Sequence, residues 1–463
     1  MVRETDPIVA LSTPQGAGAI AVIRTSGPGV IEMVDALFHG RNLTKAEPHT
    51  VHYGKLQTED GRAIDECLAT VFRSPRSYTC EDSVELSCHG SSYIVEEVIK
   101  LLLAKGMRLA EPGEFTQRAF LNGQLDLAQA EAVADLIATK TKEQHHLAIT
   151  QMRGQVSKTI AALRGQLVEF AGLIELENDF GEEDVEFADR TRLKDLANKI
   201  NLVIQNLQNS FRYGQAIKEG VAVAIVGSPN VGKSTLLNAL LGDEKAIVSE
   251  IAGTTRDVIE DSIQIDGILF RFIDTAGMRD AQDEIERIGI DRTMEQLERA
   301  RMVLHVQEIS EEFELLAQQF HQLPKKEGQQ YIIVLNKSDE FHGCHRYDVE
   351  EAVSTLTDRT PTIALSALST DGIDKLKKHL VDLVKSLKID ASAPTISNLR
   401  HFQALSIAQV HLEKVLQGLE NQIPSDLIAL DLRYALHHLG EISGEITTDD
   451  LLGEIFSKFC IGK

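Results

Sequence analysis

The sequence has no apolar run long enough to span a bilayer and no amino-terminal stretch with the pattern of a secretory signal. A soluble, cytoplasmic protein with no membrane partner is therefore expected. Basic charge is also scarce: 47 Lys and Arg stand against 70 Asp and Glu, a formal net charge of −23. A general basic field that coats nucleic acid is excluded, so any RNA contact has to use local basic patches. Cysteines are few: Cys67, Cys80, Cys88, Cys344 and Cys460. An odd, scattered set suits reduced thiols better than a disulfide frame. Cys80 and the Cys88-His89 pair lack a second CxxC-type pair, which leaves a zinc site there unsupported.

What is present is globular in composition, with 43% hydrophobic and 25% charged residues in 463. That length suggests roughly three domains. Residues 1–118 alternate short apolar runs with Gly and Pro turns, as in "HTVHYGKL", "ECLATVFRSP" and "SVELSCHG", and carry one helical pattern at "SSYIVEEVIKLLLAKG". This reads as an α+β domain. Residues 119–215 change to long helical periodicity and form the first half of a helical domain. Strand signals return over 216–383 in "VAVAIVG", "ILFRFIDTAG", "RMVLHVQEI" and "YIIVLNKSD", alternating with helical segments, which predicts an α/β domain with a parallel sheet. Helices resume over 384–463. An α/β domain bracketed by helical stretches suggests insertion into one helical domain whose halves pack together.

"GSPNVGKST", Gly227 to Thr235, fits G-x-x-x-x-G-K-[ST] after an apolar strand and before an apolar helix. In that context the loop N–H groups curl around phosphates, Lys233 meets the β and γ phosphates, and Ser234 can ligate Mg²⁺. Asn230, Val231, Gly232 and Thr235 complete the phosphate-binding stretch. "DTAG", Asp274, Thr275, Ala276 and Gly277, ends a second strand, with the carboxylate available to Mg²⁺ through water. "NKSD" supplies Asn336, Lys337 and Asp339, whose carboxylate accepts from guanine N1–H and the 2-amino group, donors that adenine lacks. Ser366 and Ala367 bring a backbone N–H to the guanine O6. In this order the four motifs predict GTP and GDP binding.

Met278 follows "DTAG", so a water-orienting glutamine is missing there, and the acidic residues Asp280, Asp283, Glu284 and Glu286 are open alternatives. Between the two motifs, Ser249, Glu250, Ile251, Ala252, Gly253, Thr254 and Thr255 form a loop in which one of the two threonines covers the γ-phosphate. Arg256 stands beside Asp257, where local pairing is expected, so charge compensation is expected to fall to a cation or a partner.

The whole chain resembles the MnmE (TrmE) tRNA-modification GTPases. The resemblance rests on "PIVALSTPQGAGAIAVIRTSG", "SYTCEDSVELSCHG", "PGEFTQRAFLNGQLDLAQAEAVADLI", "GTTRD", "DTAGMRDAQDEIERIGI" and "LLGEIFSKFCIGK". It implies a K⁺ site at Asn230, Ser249, the Ile251 carbonyl and Thr254, Thr255 as a Mg²⁺ ligand beside Ser234, and Glu286 as the residue that positions the attacking water. It implies that residues 1–118 bind 5-formyl- or methylene-tetrahydrofolate and form a homodimer, with Arg24, Glu81, Gln124 and Lys463 on folate-contact positions. Gln124 departs from the usual lysine. Ser91 replaces a glycine and is expected to shift its loop. "VLHVQEIS" lacks the usual aspartate near the strand end. The implied reaction adds a carboxymethylaminomethyl or aminomethyl group at C5 of the wobble uridine of certain tRNAs. It runs with an FAD-dependent MnmG (GidA)-type partner that uses NADH, while GTP hydrolysis drives conformational change.

Two other readings share these motifs: a ribosome- or RNA-assembly GTPase without one-carbon chemistry, and an amino-terminal domain that only dimerises. An assembly GTPase would be expected to append a compact RNA-binding module and a more basic surface. The terminal "FCIGK" places Cys460 at the spacing of a prenylation box, but Gly462 and Lys463 do not suit one. Under the resemblance, Lys463 meets folate and Cys460 stands near the one-carbon unit. The plainer alternative is that Phe459 and Ile461 pin the last helix.

Overall fold

The computed structural model describes residues 6–58, 60–179, 190–242, 261–273, 297–310, 312–326, 328–342, 345–387 and 394–462. The strands are β1 Ile8–Leu11, β2 Ile20–Ser26, β3 Phe38–Gly40, β4 Thr50–Gln57, β5 Ala63–Phe72, β6 Ser83–His89, β7 Arg108–Leu109, β8 Val221–Val226, β9 Asp261–Ile265, β10 Ile268–Phe272, β11 Met302–Glu308, β12 Gln330–Asn336 and β13 Thr362–Ala364. The α-helices are α1 Val30–Asp35, α2 Ser92–Ala104, α3 Glu114–Leu121, α4 Leu127–Ile137, α5 Lys142–Met152, α6 Gln155–Asp179, α7 Arg190–Glu219, α8 Lys233–Leu241, α9 Phe313–His321, α10 Arg346–Leu356, α11 Ile373–Ser386, α12 Leu399–Glu420, α13 Ser425–Ser443 and α14 Asp449–Phe456. Two compact units result: Met1–Ile137, Thr150–Asn198 and Ile407–Lys463 form one, Ala138–Ile149 and Lys199–Ser406 the other.

In the first unit seven strands run in the order β3-β4-β5-β6-β2-β1-β7, antiparallel except for the β1–β7 pair. Alternation sets the faces: on β5, Cys67, Ala69 and Val71 are buried while Leu68 is exposed. The buried face packs against Val30, Ile31 and Val34 of α1 and Val98 and Leu102 of α2. Burial pushes the Cys67 thiol up to about 12 and the Cys88 thiol up to about 11, so both are packing groups. Cys88 lies in the core, whereas His89 is exposed and its Nδ1 stands 2.7 Å from Asp65. Ser91 does not strain its loop: it takes an extended φ of −85° as the residue before α2.

The long periodic runs became the 25-residue α6 and the 30-residue α7. In the first unit α6 packs along α13, and Arg164 pairs with Glu445. Phe120, Leu127, Ala130, Leu452, Phe456 and Phe459 join α3, α4 and α14 in a small apolar cluster.

In the second unit the strand order is β13-β12-β11-β8-β10-β9. The expectation of a parallel sheet holds for β8, β10, β11, β12 and β13, but β9 is an antiparallel edge strand. The cause is the Asp266-Gly267 turn, with φ of 48° and 80°, the two-residue hairpin chemistry that reverses the chain at once. The inner strands are almost continuously apolar, as burial on both faces requires, and α8 and α11 contribute Leu236, Leu240, Leu376 and Leu380 to their core.

Candidate functional sites

The nucleotide motifs of the second unit lie at the carboxyl ends of β8 and β12 and just beyond β13, where open α/β sheets take their ligands. Gly232, with φ of 93°, is the N-cap of α8 and makes no side-chain cap. The first N–H groups of α8 are thus not closed off by a capping side chain, the arrangement that receives phosphate. Any Cβ on Gly232 would stand 2.3 Å from Asn336 Nδ2, so glycine is required by contact as well as by backbone. Asn230 also takes a left-handed φ of 64°. The Lys233 ammonium donates to the carbonyls of Gly227 and Ser228 at 2.9 and 2.8 Å, and burial holds its pKa below the usual lysine value.

Asn336 ties two loops together. Its Nδ2 donates to the Val231 carbonyl at 2.8 Å and its Oδ1 accepts the Ala367 N–H at 2.9 Å, with the side chain almost wholly buried. The phosphate loop and the Ser366-Ala367 loop are therefore held in register by one amide. Asp339 is exposed; a hydrogen bond from the Ser366 hydroxyl, then its own N–H, holds its carboxyl below the usual range and keeps it an acceptor. Ser366 is fixed in turn by its N–H to the Asp371 carbonyl and by accepting the Ser369 N–H. Lys337, with φ of 62°, has Nζ 2.6 Å from Glu308. Glu308 ends β11 within the stretch that departs from the family pattern, and it had not been assigned a role from sequence. Ser234 and Thr235 lie in the first turn of α8. Ser249, Glu250, Ile251, Ala252, Gly253, Thr254, Thr255, Asp274, Thr275, Ala276, Gly277 and Glu286 lie outside the described residues, as does Lys463.

In the first unit, Arg24 on β2 pairs with Glu85 at 2.8 Å, and its guanidinium lies over the rings of Tyr78 and Phe115 at 5.3 and 5.8 Å. Glu81 accepts from Ser26 Oγ at 2.7 Å and from Arg118 at 3.0 Å. Gln124 accepts from the Cys80 thiol at 3.3 Å, next in sequence to Glu81, and Asn122 donates to the Thr79 carbonyl at 2.7 Å. Each of the three sequence-selected positions thus contacts or belongs to the stretch from Tyr78 to Glu81. Arg118 and Glu114, which support Glu81, went unassigned although their i, i+4 spacing on α3 was legible. Both are buried, and Arg118 contacts Glu114 at 2.9 Å while Arg108 does so at 2.6 Å. Burial works to raise the Glu114 carboxyl, but Arg108, the Glu111 N–H and Arg118 together hold it below its ordinary range.

The chain's last residues reach this same region. The Ser12 hydroxyl donates to the Gly462 carbonyl at 3.2 Å, and the Gly113 N–H donates to that of Cys460 at 3.4 Å. Gly462, with φ of 91°, packs so closely that a Cβ would stand 2.3 Å from the Leu11 carbonyl oxygen. Ala10, one residue before Leu11, is the register partner of Arg24. Phe459 is buried against Phe456, as a pin for the last helix requires, whereas Ile461 is exposed and pins nothing. The Cys460 side chain is exposed.

The family model described as the GTP-binding protein TrmE N-terminus matches residues 7–124, and that described as the MnmE helical domain matches residues 127–460. A tRNA modification GTPase MnmE of Cytophaga hutchinsonii is 49% identical, over 100% of this chain and 99% of its own length. One from Christiangramia forsetii is 49% identical over 100% of both chains, and one from Flavobacterium johnsoniae 48% over 99% of both. Near-half identity from end to end, with two family models that follow one another along nearly all of the sequence, means that this chain belongs to the MnmE family of tRNA modification GTPases.

Proposed function

We propose that this GTPase uses GTP hydrolysis to drive a tRNA wobble-uridine modification whose one-carbon unit is held by the first unit. In this reading residues 1–118 are the tetrahydrofolate-binding and dimerisation domain, 119–215 and 384–463 the two halves of a helical domain, and 216–383 the inserted GTPase domain. Arg24, Glu81, Gln124 and Lys463 bind the folate. A bound 5-formyl- or methylene-tetrahydrofolate supplies the carbon added at C5 of the uridine, with an FAD- and NADH-using MnmG-type protein as partner. The chain's own residues bind and orient: Arg24 offers a guanidinium backed by two aromatic rings, Glu81 a carboxylate fixed by Ser26 and Arg118.

The donor set suits a ligand with polar and carboxylate groups, and Gln124 retains hydrogen bonding there while lacking the charge of a lysine. In the GTPase domain, Asp339 and a backbone N–H of the "SAL" loop, which Asn336 holds in place through Ala367, read guanine, Lys233 and the α8 N-terminus hold phosphate, and Ser234 with Thr255 hold Mg²⁺. Asn230, Ser249, Ile251 and Thr254 hold K⁺, which supplies positive charge in place of an arginine finger, and Glu286 orients the attacking water.

The observation that carries the reading is the docking of the carboxyl-terminal tail at Ser12 and Gly113, beside the elements that bear Arg24 and support Glu81. Isothermal titration of the intact protein with 5-formyltetrahydrofolate tests it. Saturable binding, weakened in Arg24→Ala, is expected; no binding would leave the first unit a dimerisation platform or favour an assembly GTPase. GTP turnover should be faster in K⁺ than in Na⁺, and equal rates would remove the cation role of Asn230.

A further inference from the structure

A second group of ligand-bearing side chains lies in the first unit on α13, apart from every residue assigned above. His437, His438 and Glu441 project donor atoms that all lie within 4.8 Å of one another. His438 Nδ1 is 2.9 Å from one Glu441 carboxylate oxygen, and His437 Nε2 is 3.6 Å from the other. A four-coordinate ion with bonds of about 2.0–2.1 Å separates its ligand atoms by about 3.3 Å, and each imidazole nitrogen lies near that spacing from one or the other oxygen of the Glu441 carboxylate.

Four features of the surroundings suit a cation. Glu441 falls in the last turn of α13, ahead of the left-handed Gly444, where the helix dipole is negative. The His411 ring of α12 stacks on His438 at 6.3 Å with planes 17° apart, and Tyr434 stacks on His411 at 4.9 Å, walling one side. Asp431 holds His411 Nδ1 at 2.8 Å, adding a second carboxylate behind the stack. His437 is about half exposed, with 49% of its side chain accessible, which leaves an entry path for an ion and for water.

We propose that His437, His438 and Glu441 form a binding site for a borderline divalent transition-metal ion such as Zn²⁺, with a solvent position completing its coordination. Two imidazoles and one carboxylate suit Zn²⁺, Co²⁺ or Ni²⁺ and not Mg²⁺, which prefers an all-oxygen octahedral shell. The ion would join the last turn of α13 to itself without touching the nucleotide or folate positions.

Metal-stripped full-length protein in excess Mg²⁺ would be titrated with ZnCl₂ by calorimetry, alongside His437→Gln and the double variant with His438→Gln. The double variant should bind one equivalent fewer per chain. The single variant should lose more affinity than the roughly 10–100-fold that even outer-shell changes cost. Equal stoichiometry and affinity in wild type and both variants overturn the site. Matching far-UV circular dichroism before metal is added separates ligand loss from misfolding, and if the double variant unfolds, the single variant alone decides the result.

Discussion

Asn336 shows how much one amide does: it satisfies the Val231 carbonyl and the Ala367 N–H from a buried position between two ligand loops. Asn336→Ala leaves both groups without that partner, a cost of roughly 1–3 kcal/mol. Urea unfolding followed by circular dichroism should report that loss, and GTP affinity should fall with it; unchanged affinity would mean that the loops keep their register unaided. Glu286 belongs to a different class of prediction, because the acidic run offered four carboxylates and only family resemblance selected one. Glu286→Ala should slow hydrolysis by more than about tenfold while leaving GTP affinity nearly intact, and an affinity loss alone would assign it a structural role. Glu114 carries a pH signature. Its carboxyl is held low in the folded chain, so the unfolded chain takes up the proton more readily. The stabilisation is complete above about pH 4.3, the ordinary glutamate value, and drains away as pH falls through the lower folded value. Glu114→Gln should flatten that acid limb in pH-dependent unfolding.

At the scale of elements, the GTPase motifs were legible because each needs a particular strand end, loop or helix start; β8, α8, β12 and β13 carry "GSPNVGKST", "NKSD" and "SAL" there, while "DTAG" lies outside the described residues. The antiparallel β9 was not anticipated, although "QIDGIL" holds the Asp-Gly pair that commits to a two-residue hairpin. The apolar run after it was read as a parallel strand and is one, β10, whereas the short "DSIQI" before it was not read as a strand. That Ser26 and Arg118 support Glu81 was illegible for another reason: they lie 55 and 37 residues from it, and only the β2–β6 pairing and the placement of α3 bring them to it.

The β11 element carries a buried base. His305 lies between β8 and β12 with Phe320 at 6.1 Å, and burial pushes its pKa down to about 4. Unfolding lets it take its proton near pH 6.5, so β11 contributes stability that is whole above that value and is lost as pH falls towards 4. The loss is on the order of 3 kcal/mol across the window. His305→Leu should abolish that slope in urea midpoints measured between pH 7 and 4; an unaltered slope would mean that His305 is not the group titrating.

For the whole molecule, the ends of the chain meet within one unit: Gly462 lies on Leu11 and Ser12, and Cys460 hands its carbonyl to Gly113. The buried anchors of that closure are Phe456 and Phe459, so the exposed Cys460 side chain is not needed to hold it. A thiol replaced by a hydroxyl there costs no packed volume and leaves the backbone hydrogen bond in place. Cys460→Ser should therefore keep the thermal midpoint and GTP turnover of the wild type. Gly462→Ala is the opposite case, because a methyl group would run into the Leu11 carbonyl and demand a left-handed alanine. It should free the tail and speed proteolysis at the carboxyl terminus, again with GTP turnover intact. If tRNA modification fails in Cys460→Ser while folding, dimerisation and turnover persist, the thiol acts in chemistry or docking. If it fails only in Gly462→Ala, the tail acts by its position. Loss in neither would confine the tail to closing the fold.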